Sequence, residues 1–159
     1  KTPISQLNAA LKWNSENKNT ITDVELKFST QIGGFQVNGK IDRIEKTPEG
    51  DFVIIDYKTG GKNKKVTKVE ESLQLNMYCL ALQEHKRYGK LPKIASFFYV
   101  EKEEGQQFFD YEVSQTDVDV AKKVIETFTD SIKKKEFDAT PQSFTCKWCD
   151  YNDICKDAE

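Results

Sequence analysis

The chain has 159 residues, of which 37% are hydrophobic and 31% are charged, and its formal net charge at pH 7 is −2. This length suits one domain with a sizeable core, and the charge gives no sign of a generally basic nucleic-acid binder. No apolar run is long enough for a membrane helix and no secretory leader is present, so we expect a cytoplasmic protein without a membrane partner. Because the chain opens on Lys1 rather than Met, we expect residues 1–159 to form a single domain cut from a longer protein.

Helical and extended patterns alternate along the chain, as in an α/β fold. A short helix is predicted first, followed by three strands joined by tight turns, a helix that crosses to a fourth strand, a fifth strand and a long helix. The predicted ranges are 5–16 (helix), 21–31, 35–46 and 51–58 (strands), 69–87 (helix), 94–101 and 106–113 (strands), and 114–135 (helix). The last helix is expected to begin with a capping box at Ser114 and to bury Val118, Ala121, Ile125, Phe128 and Ile132.

The loop at residues 47–50 determines how the second and third strands pair. Pro48 at its second position and Gly50 at its fourth predict a type I turn that ends in a left-handed glycine. Such a three-residue hairpin loop pairs Thr47 with Asp51. A two-residue loop would move every side chain of one strand to the other face, so the turn type decides which side chains meet.

In the predicted register Asp42 lies opposite Asp56, and Lys40 lies opposite Lys58, with all four on one face. Facing side chains are roughly 5 Å apart, and like charges there repel unless something lies between them. A divalent cation would fit, and carboxylate oxygens favour Mg²⁺ or Mn²⁺ over zinc. The alternative is a simple salt bridge between Asp56 and Lys58, with Asp42 in solvent. The facing register favours the metal, because one lysine cannot neutralise two opposed aspartates in a partly dry site.

The segment after Lys58 adds two further features. A run of lysines follows, which alone would indicate a solvated loop. These lysines are Lys62, Lys64, Lys65 and Lys68. On the next helix Gln74 and Tyr78 are four residues apart and share one face, which the loop could bring over the aspartates. The alternative is an ordinary surface Gln and a half-buried Tyr.

Three motifs together resemble the RecB-like branch of the PD-(D/E)xK nuclease superfamily. They are Gly39-Lys40-Ile41-Asp42-Arg43, Ile54-Ile55-Asp56-Tyr57-Lys58-Thr59-Gly60 and Gln74-Leu75-Asn76-Met77-Tyr78. The resemblance covers residues 21–156 and is closest to nuclease domains at the C-terminus of UvrD-type helicases. AddB subunits and CRISPR-associated adaptation nucleases are more distantly similar. It implies a restriction-endonuclease-like α/β fold, in which a mixed sheet has three antiparallel strands, a crossover helix, further strands and flanking helices.

The resemblance also implies roles for single residues. Asp42 and Asp56 would hold Mg²⁺ or Mn²⁺ together with the backbone carbonyl of Tyr57. Lys58 would position or deprotonate the attacking water, or stabilise the charge of the phosphorane. Together these residues make up the implied catalytic and metal-binding set.

The Q-x-x-x-Y signature of the family assigns Gln74 and Tyr78 to the active site and the DNA strand. Glu25 falls where the family often has an acidic residue, but a solvated surface position is the preferred interpretation. Similar proteins usually carry a metal-ligating histidine ahead of the sheet, whereas His85 follows the signature and is interpreted as a solvated or capping residue. The implied site therefore lacks one ligand in this sequence.

The implied function is a metal-dependent, exonuclease-type deoxyribonuclease that acts on single-stranded or end-processed DNA. Its partner would be a helicase domain or subunit, in DNA repair or recombination. The alternative is a nuclease-like module with impaired catalysis that binds DNA or a partner subunit. The intact set of Asp42, Asp56 and Lys58 favours the enzyme, and the missing histidine favours the binding module.

The tail at residues 140–159 carries Cys146, Cys149 and Cys155 in a C-x₂-C-x₅-C pattern. Without a secretory signal, this spacing points to a metal or a reduced interior rather than a disulfide scaffold. The resemblance implies three ligands of a [4Fe–4S] cluster in the intact parent protein, whose fourth cysteine is absent from this sequence. Zinc with a further ligand and free or partly disulfide-bonded thiols are the alternatives. Cys79 is interpreted as a small core residue.

Overall fold

The computed structural model describes residues 3–59, 72–102, 105–139 and 141–158. Within these ranges the chain forms four helices and five strands. They are α1 (Pro3–Glu16), β1 (Thr20–Ile32), β2 (Phe35–Lys46), β3 (Phe52–Lys58), α2 (Leu73–Glu84), β4 (Ile94–Tyr99), β5 (Phe108–Glu112), α3 (Gln115–Lys134) and α4 (Ser143–Lys147).

The strands form one sheet in the order β1-β2-β3-β4-β5. Only β3 and β4 run parallel, and the other neighbours are antiparallel. Parallel neighbours need a crossover connection, which α2 supplies between β3 and β4. The predicted α/β fold, with a mixed sheet, three antiparallel strands, a crossover helix and flanking helices, is confirmed.

Both predicted turns are confirmed. Gly33 and Gly34, with φ of 59° and 83°, form the two-residue loop between the paired Ile32 and Phe35. In the second hairpin the N–H of Gly50 donates to the carbonyl of Thr47 (2.9 Å), and Gly50 has a φ of 95°. Only glycine adopts these left-handed backbone angles without strain, so the turn residues fix the register of both hairpins.

The two faces of the sheet are covered unequally. The larger core lies between the sheet and helices α2 and α3, and it includes Ile44, Ile54 and Leu75. The smaller core lies on the opposite face, where α1 places Trp13 against Phe98 with ring centroids 5.3 Å apart. The site-bearing strands β2 and β3 are therefore held from both sides.

Helix α3 keeps its predicted cap and most of its predicted core stripe, with Phe128 as the exception. Ser114 and Asp117 form the expected capping box. Phe128 was predicted to be buried, yet it is 64% exposed, and Thr129 is buried in its place. The reason is the close approach of α3 to Gly33, where an added Cβ would lie 2.3 Å from the hydroxyl oxygen of Thr129. A large side chain does not fit at that crossing.

Two other expectations concern helix α1 and the segment that follows strand β3. Helix α1 forms as predicted, although Leu7 and Leu11 are both exposed and Trp13 makes the packing contact. The predicted lysine-rich loop and the start of the predicted crossover helix, residues 60–71, lie outside the described residues. In the part of the chain that is described, no helix has both the length and the apolar character needed to span a bilayer.

Candidate active site

The alternation of side chains between the two faces of strand β2 shifts by one residue near the predicted site, and we call this shift the phase change. Ile41 and Ile44 are three residues apart but both lie in the larger core, so regular alternation is broken between them. Lys40 consequently points to the other face, where its ammonium pairs with Glu25. The prediction that Lys40 and Lys58 share a face was wrong, because it extended strict alternation through this irregularity.

The phase change leaves Asp42 at the point where β2 and β3 separate. Arg43 and Ile55 form the last pair of the ladder, in the predicted register. Beyond them, the Oδ2 atom of Asp42 accepts a hydrogen bond from the backbone N–H of Tyr57 (3.0 Å). The side chain of Asp42 thus replaces the missing ladder bond, and this contact holds it next to the third strand.

Asp56 lies on the core side of β3 and is only 2% exposed. Its Oδ1 atom accepts a hydrogen bond from Gln74 Nε2 (3.0 Å). Lys58 Nζ lies 2.6 Å from the fully buried Oδ2, which is close enough for a charge-assisted hydrogen bond within the ion pair. Burial raises the pKa of the Asp56 carboxyl, the ion pair with Lys58 opposes this, and the charge of Asp42 adds to it.

Helix α2 brings Gln74 and Tyr78 over the carboxylates, as the spacing predicted. Lys58 Nζ donates to Gln74 Oε1 (2.7 Å), and Gln74 Nε2 also contacts the hydroxyl of Tyr78 (2.8 Å). Burial raises the pKa of the Tyr78 hydroxyl, whereas its bond with Gln74 lowers it. Because Ser72 caps the helix at the N–H of Leu75, its first turn is fixed beside β3.

The carboxylates have the chemistry of a divalent-cation site. Mg²⁺ prefers carboxylate and carbonyl oxygens, and the buried carboxylate of Asp56 lies close enough to Asp42 to feel its charge. Asp42 and Asp56 supply only two carboxylates, since the described residues hold no group of three or more His, Cys, Asp or Glu arranged for a metal ion. The residues fit a cation that completes its coordination with backbone oxygen and water.

A second polar cluster on the opposite face of the hairpin was missed by the sequence reasoning. Glu45 is buried and accepts hydrogen bonds from Asn17, Asn19 and the Nε atom of Arg43. We call these four residues the Glu45 cluster. The guanidinium of Arg43 also donates to Tyr57 (3.2 Å), so the cluster supports the strand that follows Asp56. Two charged residues flanking Ile44 in a buried strand were the signal for it.

The cysteines are all free thiols. Cys146 is buried whereas Cys149 and Cys155 are exposed, and the three are not gathered into one ligand group. The [4Fe–4S] ligand set stays a prediction, and no chemical step is derived from it. Cys79 is fully buried in the core as predicted, and burial raises its pKa to about 12.

His85 caps α2, and its Nδ1 atom accepts from the N–H of Arg87.

Two proteins of known name share recognisable sequence with this chain. The Gene 69 protein of Mycobacterium phage D29 is 27% identical over 135 residues, which cover 83% of this chain and 47% of the phage protein. A subunit of the ATP-dependent helicase/deoxyribonuclease of Streptococcus agalactiae is 27% identical over 95 residues, which cover 58% of this chain and 9% of that protein. The chain thus spans less than half the length of either relative.

Solved structures share the fold at lower identity. The protein SSO0001 superposes with a TM-score of 0.55 at 15% identity, covering 98% of this chain and 69% of its own. A Eubacterium rectale protein described as a "putative exonuclease" gives a TM-score of 0.51 at 13% identity, covering 93% of this chain and 59% of its own.

The family assignment rests on the whole domain rather than on the site alone. The model of the PD-(D/E)XK nuclease superfamily matches residues 5–156, which include every strand of the sheet and both carboxylates of the candidate site. Together with a sheet that carries Asp42, Asp56 and Lys58 where its second and third strands separate, this match shows that the chain belongs to the PD-(D/E)XK nuclease superfamily.

Proposed function

We propose that this chain is a divalent-metal-dependent deoxyribonuclease domain of the exonuclease type. The observation that carries the proposal is the environment of Asp56, a carboxylate that is almost fully buried, close to the charge of Asp42, and paired with Lys58. One ammonium beside two aspartates leaves part of their mutual repulsion uncompensated. A cation bound between them would offset that repulsion.

The residues of the site divide the work of phosphodiester hydrolysis. Asp42, Asp56 and the backbone carbonyl of Tyr57 would hold Mg²⁺ or Mn²⁺, which supplies Lewis acidity and a bound water of lowered pKa. The ammonium of Lys58 adds positive charge where negative charge accumulates on the phosphate. Its contact with Gln74 fixes the position of that charge. Gln74 also orients the hydroxyl of Tyr78, which is available to contact the DNA strand.

We further propose that the domain belongs to a cytoplasmic helicase–nuclease that processes single-stranded or resected DNA ends in repair or recombination. The support is the similarity to a helicase/deoxyribonuclease component, of which this chain covers 9%. The helicase partner would lie in the same longer protein or in a second subunit.

A nuclease-like binding module is the second candidate. It is favoured by one observation, that Asp42 and Asp56 are joined by no third metal-ligating side chain within the described residues. Such a module would bind DNA with the same surface but would not cleave it.

Cleavage of end-labelled single-stranded DNA in the presence of Mg²⁺ or Mn²⁺ separates these candidates. We expect Asp56→Asn and Lys58→Ala each to lower the rate by about 10²–10³-fold, the usual effect of removing one group that stabilises transition-state charge. Asp51→Asn is the matched control, because Asp51 is in the same hairpin but its carboxylate is exposed and pairs with Lys93. A wild-type chain that binds DNA but is inert with both metals would establish the binding module instead.

A further inference from the structure

Helix α3 has an apolar face on each side, and the fold covers one of them. On the inner face Val118 and Ala121 are buried where the helix packs against α2 and β1. On the outer face Val120 is 58% exposed, Val124 49% and Phe128 64%. These three residues are four positions apart, so they form one ridge along the helix. The described part of the chain leaves this ridge in solvent.

A second ridge of smaller or charged side chains runs beside the first. It consists of Lys123, Thr127 and Ser131, and the two ridges together line one surface groove. Taken in chain order, the residues Val120, Val124, Thr127 and Ser131 have the 4-3-4 spacing of the a and d positions of a heptad. The outer face of α3 therefore has the pattern of a seam that receives another helix.

The sizes of the seam residues fit a second copy of α3 that runs antiparallel around a two-fold axis. Every layer of such a pair combines a larger side chain with a smaller one, since Val120 meets Ser131 of the second copy and Val124 meets its Thr127. A parallel pair would instead place Ser131 against Ser131 and leave a gap in that layer. Alternating large and small side chains fill the space between helices, so the antiparallel pair is favoured.

The charges beside the seam favour the same arrangement. Lys123 and Asp130 are exposed residues at g positions of successive heptads. In the antiparallel register Lys123 is level with Asp130 of the second copy, and Asp119 is level with Lys134 of that copy. Two-fold symmetry repeats each contact, which gives four pairs of opposite charge. A parallel pair would place Lys123 beside Phe128, so only the antiparallel pair has this charge complementarity.

We propose that the outer face of α3 is a self-association surface, through which two copies of this domain pair antiparallel about a two-fold axis. This inference does not depend on the proposed function, because every residue it uses lies outside the candidate active site. One pair of 20-residue helices buries less area than a standard protein interface. Association is therefore weak, with a dissociation constant of about 10–100 μM, and it pairs copies that are already held close together.

Sedimentation equilibrium of the purified chain tests whether the surface associates. Between about 5 and about 500 μM the average mass should rise from that of one chain towards that of two. Val124→Glu places charges in the middle of the seam and should weaken the association at least about tenfold. Leu11→Glu is the matched control, because Leu11 is a similarly exposed apolar residue (57%) on α1.

Thermal melting checks that both variants are folded, which is expected because both substituted side chains are exposed. A wild-type chain that stays monomeric over the whole concentration range would overturn the proposal. An equal loss of association in Leu11→Glu and Val124→Glu would also overturn it, since the contact would then not be specific to α3.

Exchanging charges tests the antiparallel orientation. Lys123→Asp and Asp130→Lys each convert two contacts into like-charge pairs, so each variant alone should associate about 5- to 20-fold more weakly than the wild type. An equal mixture of the two variants has opposite charges at both contacts and should associate about as well as the wild type. Lys90→Asp mixed with Glu49→Lys is the control, because both residues are exposed and neither is on α3.

The control pair should associate like the wild type both separately and when mixed. A mixture of Lys123→Asp and Asp130→Lys that associates no better than the separate variants would reject the antiparallel pair. The outer face of α3 would then be assigned to a different protein or to another segment of a longer chain.

Discussion

Two buried carboxylates lie on opposite faces of the β2–β3 hairpin, and their surroundings differ. Glu45 is 1% exposed and Asp56 is 2% exposed. Both oxygens of Glu45 accept hydrogen bonds from Asn17, and Asn19 and Arg43 add further contacts. Asp56 has one hydrogen bond, from Gln74, and an ion pair with Lys58 on its other oxygen.

The difference teaches how to separate a structural carboxylate from a functional one at equal depth. Burial alone does not distinguish them, since both are nearly inaccessible. Glu45 has its hydrogen-bonding capacity filled by the fold, so it has nothing to offer a ligand. Asp56 has a mobile lysine as its charged partner, lies close to the charge of Asp42 and has a raised pKa, a combination that is common at sites that bind a cation or a substrate.

The largest expected effect on stability is at Glu45. Glu45→Ala leaves the guanidinium of Arg43, itself 7% exposed, without its buried partner. We expect the free energy of unfolding to fall by about 3–5 kcal/mol, as for other buried pairs that lose one member. Urea denaturation followed by circular dichroism measures it. A loss no larger than that of Asp56→Ala would show that the fold depends equally on the two carboxylates.

Metal binding should depend on Asp56 and not on Glu45, the reverse of the order expected for stability. Mn²⁺ at about 100 times its dissociation constant should stabilise the wild-type chain by about 2.7 kcal/mol, because it binds only the folded state. We expect this gain to disappear in Asp56→Asn and in Asp42→Asn. Glu45→Gln serves as the control, since Glu45 contributes no free oxygen. Thermal melting with and without Mn²⁺ is sufficient, and an equal gain in all variants would place the cation elsewhere.

Without metal, Asp56→Asn should be slightly more stable than the wild type near neutral pH. The pKa of Asp56 is raised above its ordinary value of 3.8, so the folded chain favours the neutral carboxyl over the ionised one. Wild-type stability is therefore lost as the pH rises from 3.8 through the raised pKa, and the variant lacks this loss. We expect a difference of about 1 kcal/mol at pH 7, comparable with the cost of one unsatisfied buried polar group.

Melting curves of both chains between pH 3 and pH 8 test the sign of this difference. The two curves should coincide at acid pH, where Asp56 is protonated, and separate as the pH rises. A wild type that gains stability relative to Asp56→Asn over this range would mean that Lys58 outweighs the burial of the carboxylate.

Local chemistry explains why much of this hairpin could be predicted from the sequence. Pro48 and Gly50 specify the turn, and the observed bond from Gly50 to Thr47 agrees with it. The spacing of Gln74 and Tyr78 placed both on one face of α2, where Gln74 binds both Asp56 and the hydroxyl of Tyr78. These features depend on neighbours a few residues away, so a sequence contains them directly.

Features that depend on distant segments could not be predicted in the same way. The phase change between Ile41 and Ile44 occurs beside Glu25, a non-glycine residue with a φ of 55° on the paired strand β1. Nothing local to Asp42 indicates it, and strict alternation therefore misplaced Lys40. The Glu45 cluster depends on Asn17, 28 residues earlier in the chain. Exposure of Phe128 likewise follows from Gly33, which lies on another element.

The smallest expected effect on the candidate active site is at Tyr57, the residue that joins the two faces. Its side chain belongs to the face of the Glu45 cluster, where its hydroxyl accepts from Arg43 (3.2 Å), while its backbone N–H binds Asp42. Tyr57→Phe removes only the hydroxyl contact and should cost about 0.5–1.5 kcal/mol of unfolding free energy. The proposed role of Tyr57 on the other face uses its backbone carbonyl, which the substitution does not change. Mn²⁺ stabilisation and the rate of DNA cleavage should therefore stay within about twofold of the wild type, far from the tenfold change in rate that roughly 1.4 kcal/mol represents. Denaturation and cleavage are measured on the same preparation. A large loss of cleavage with little loss of stability would place the Tyr57 hydroxyl in the reaction and contradict the separation of the two faces. A loss of stability with cleavage retained means that the backbone of Tyr57 serves the site while its side chain serves the fold.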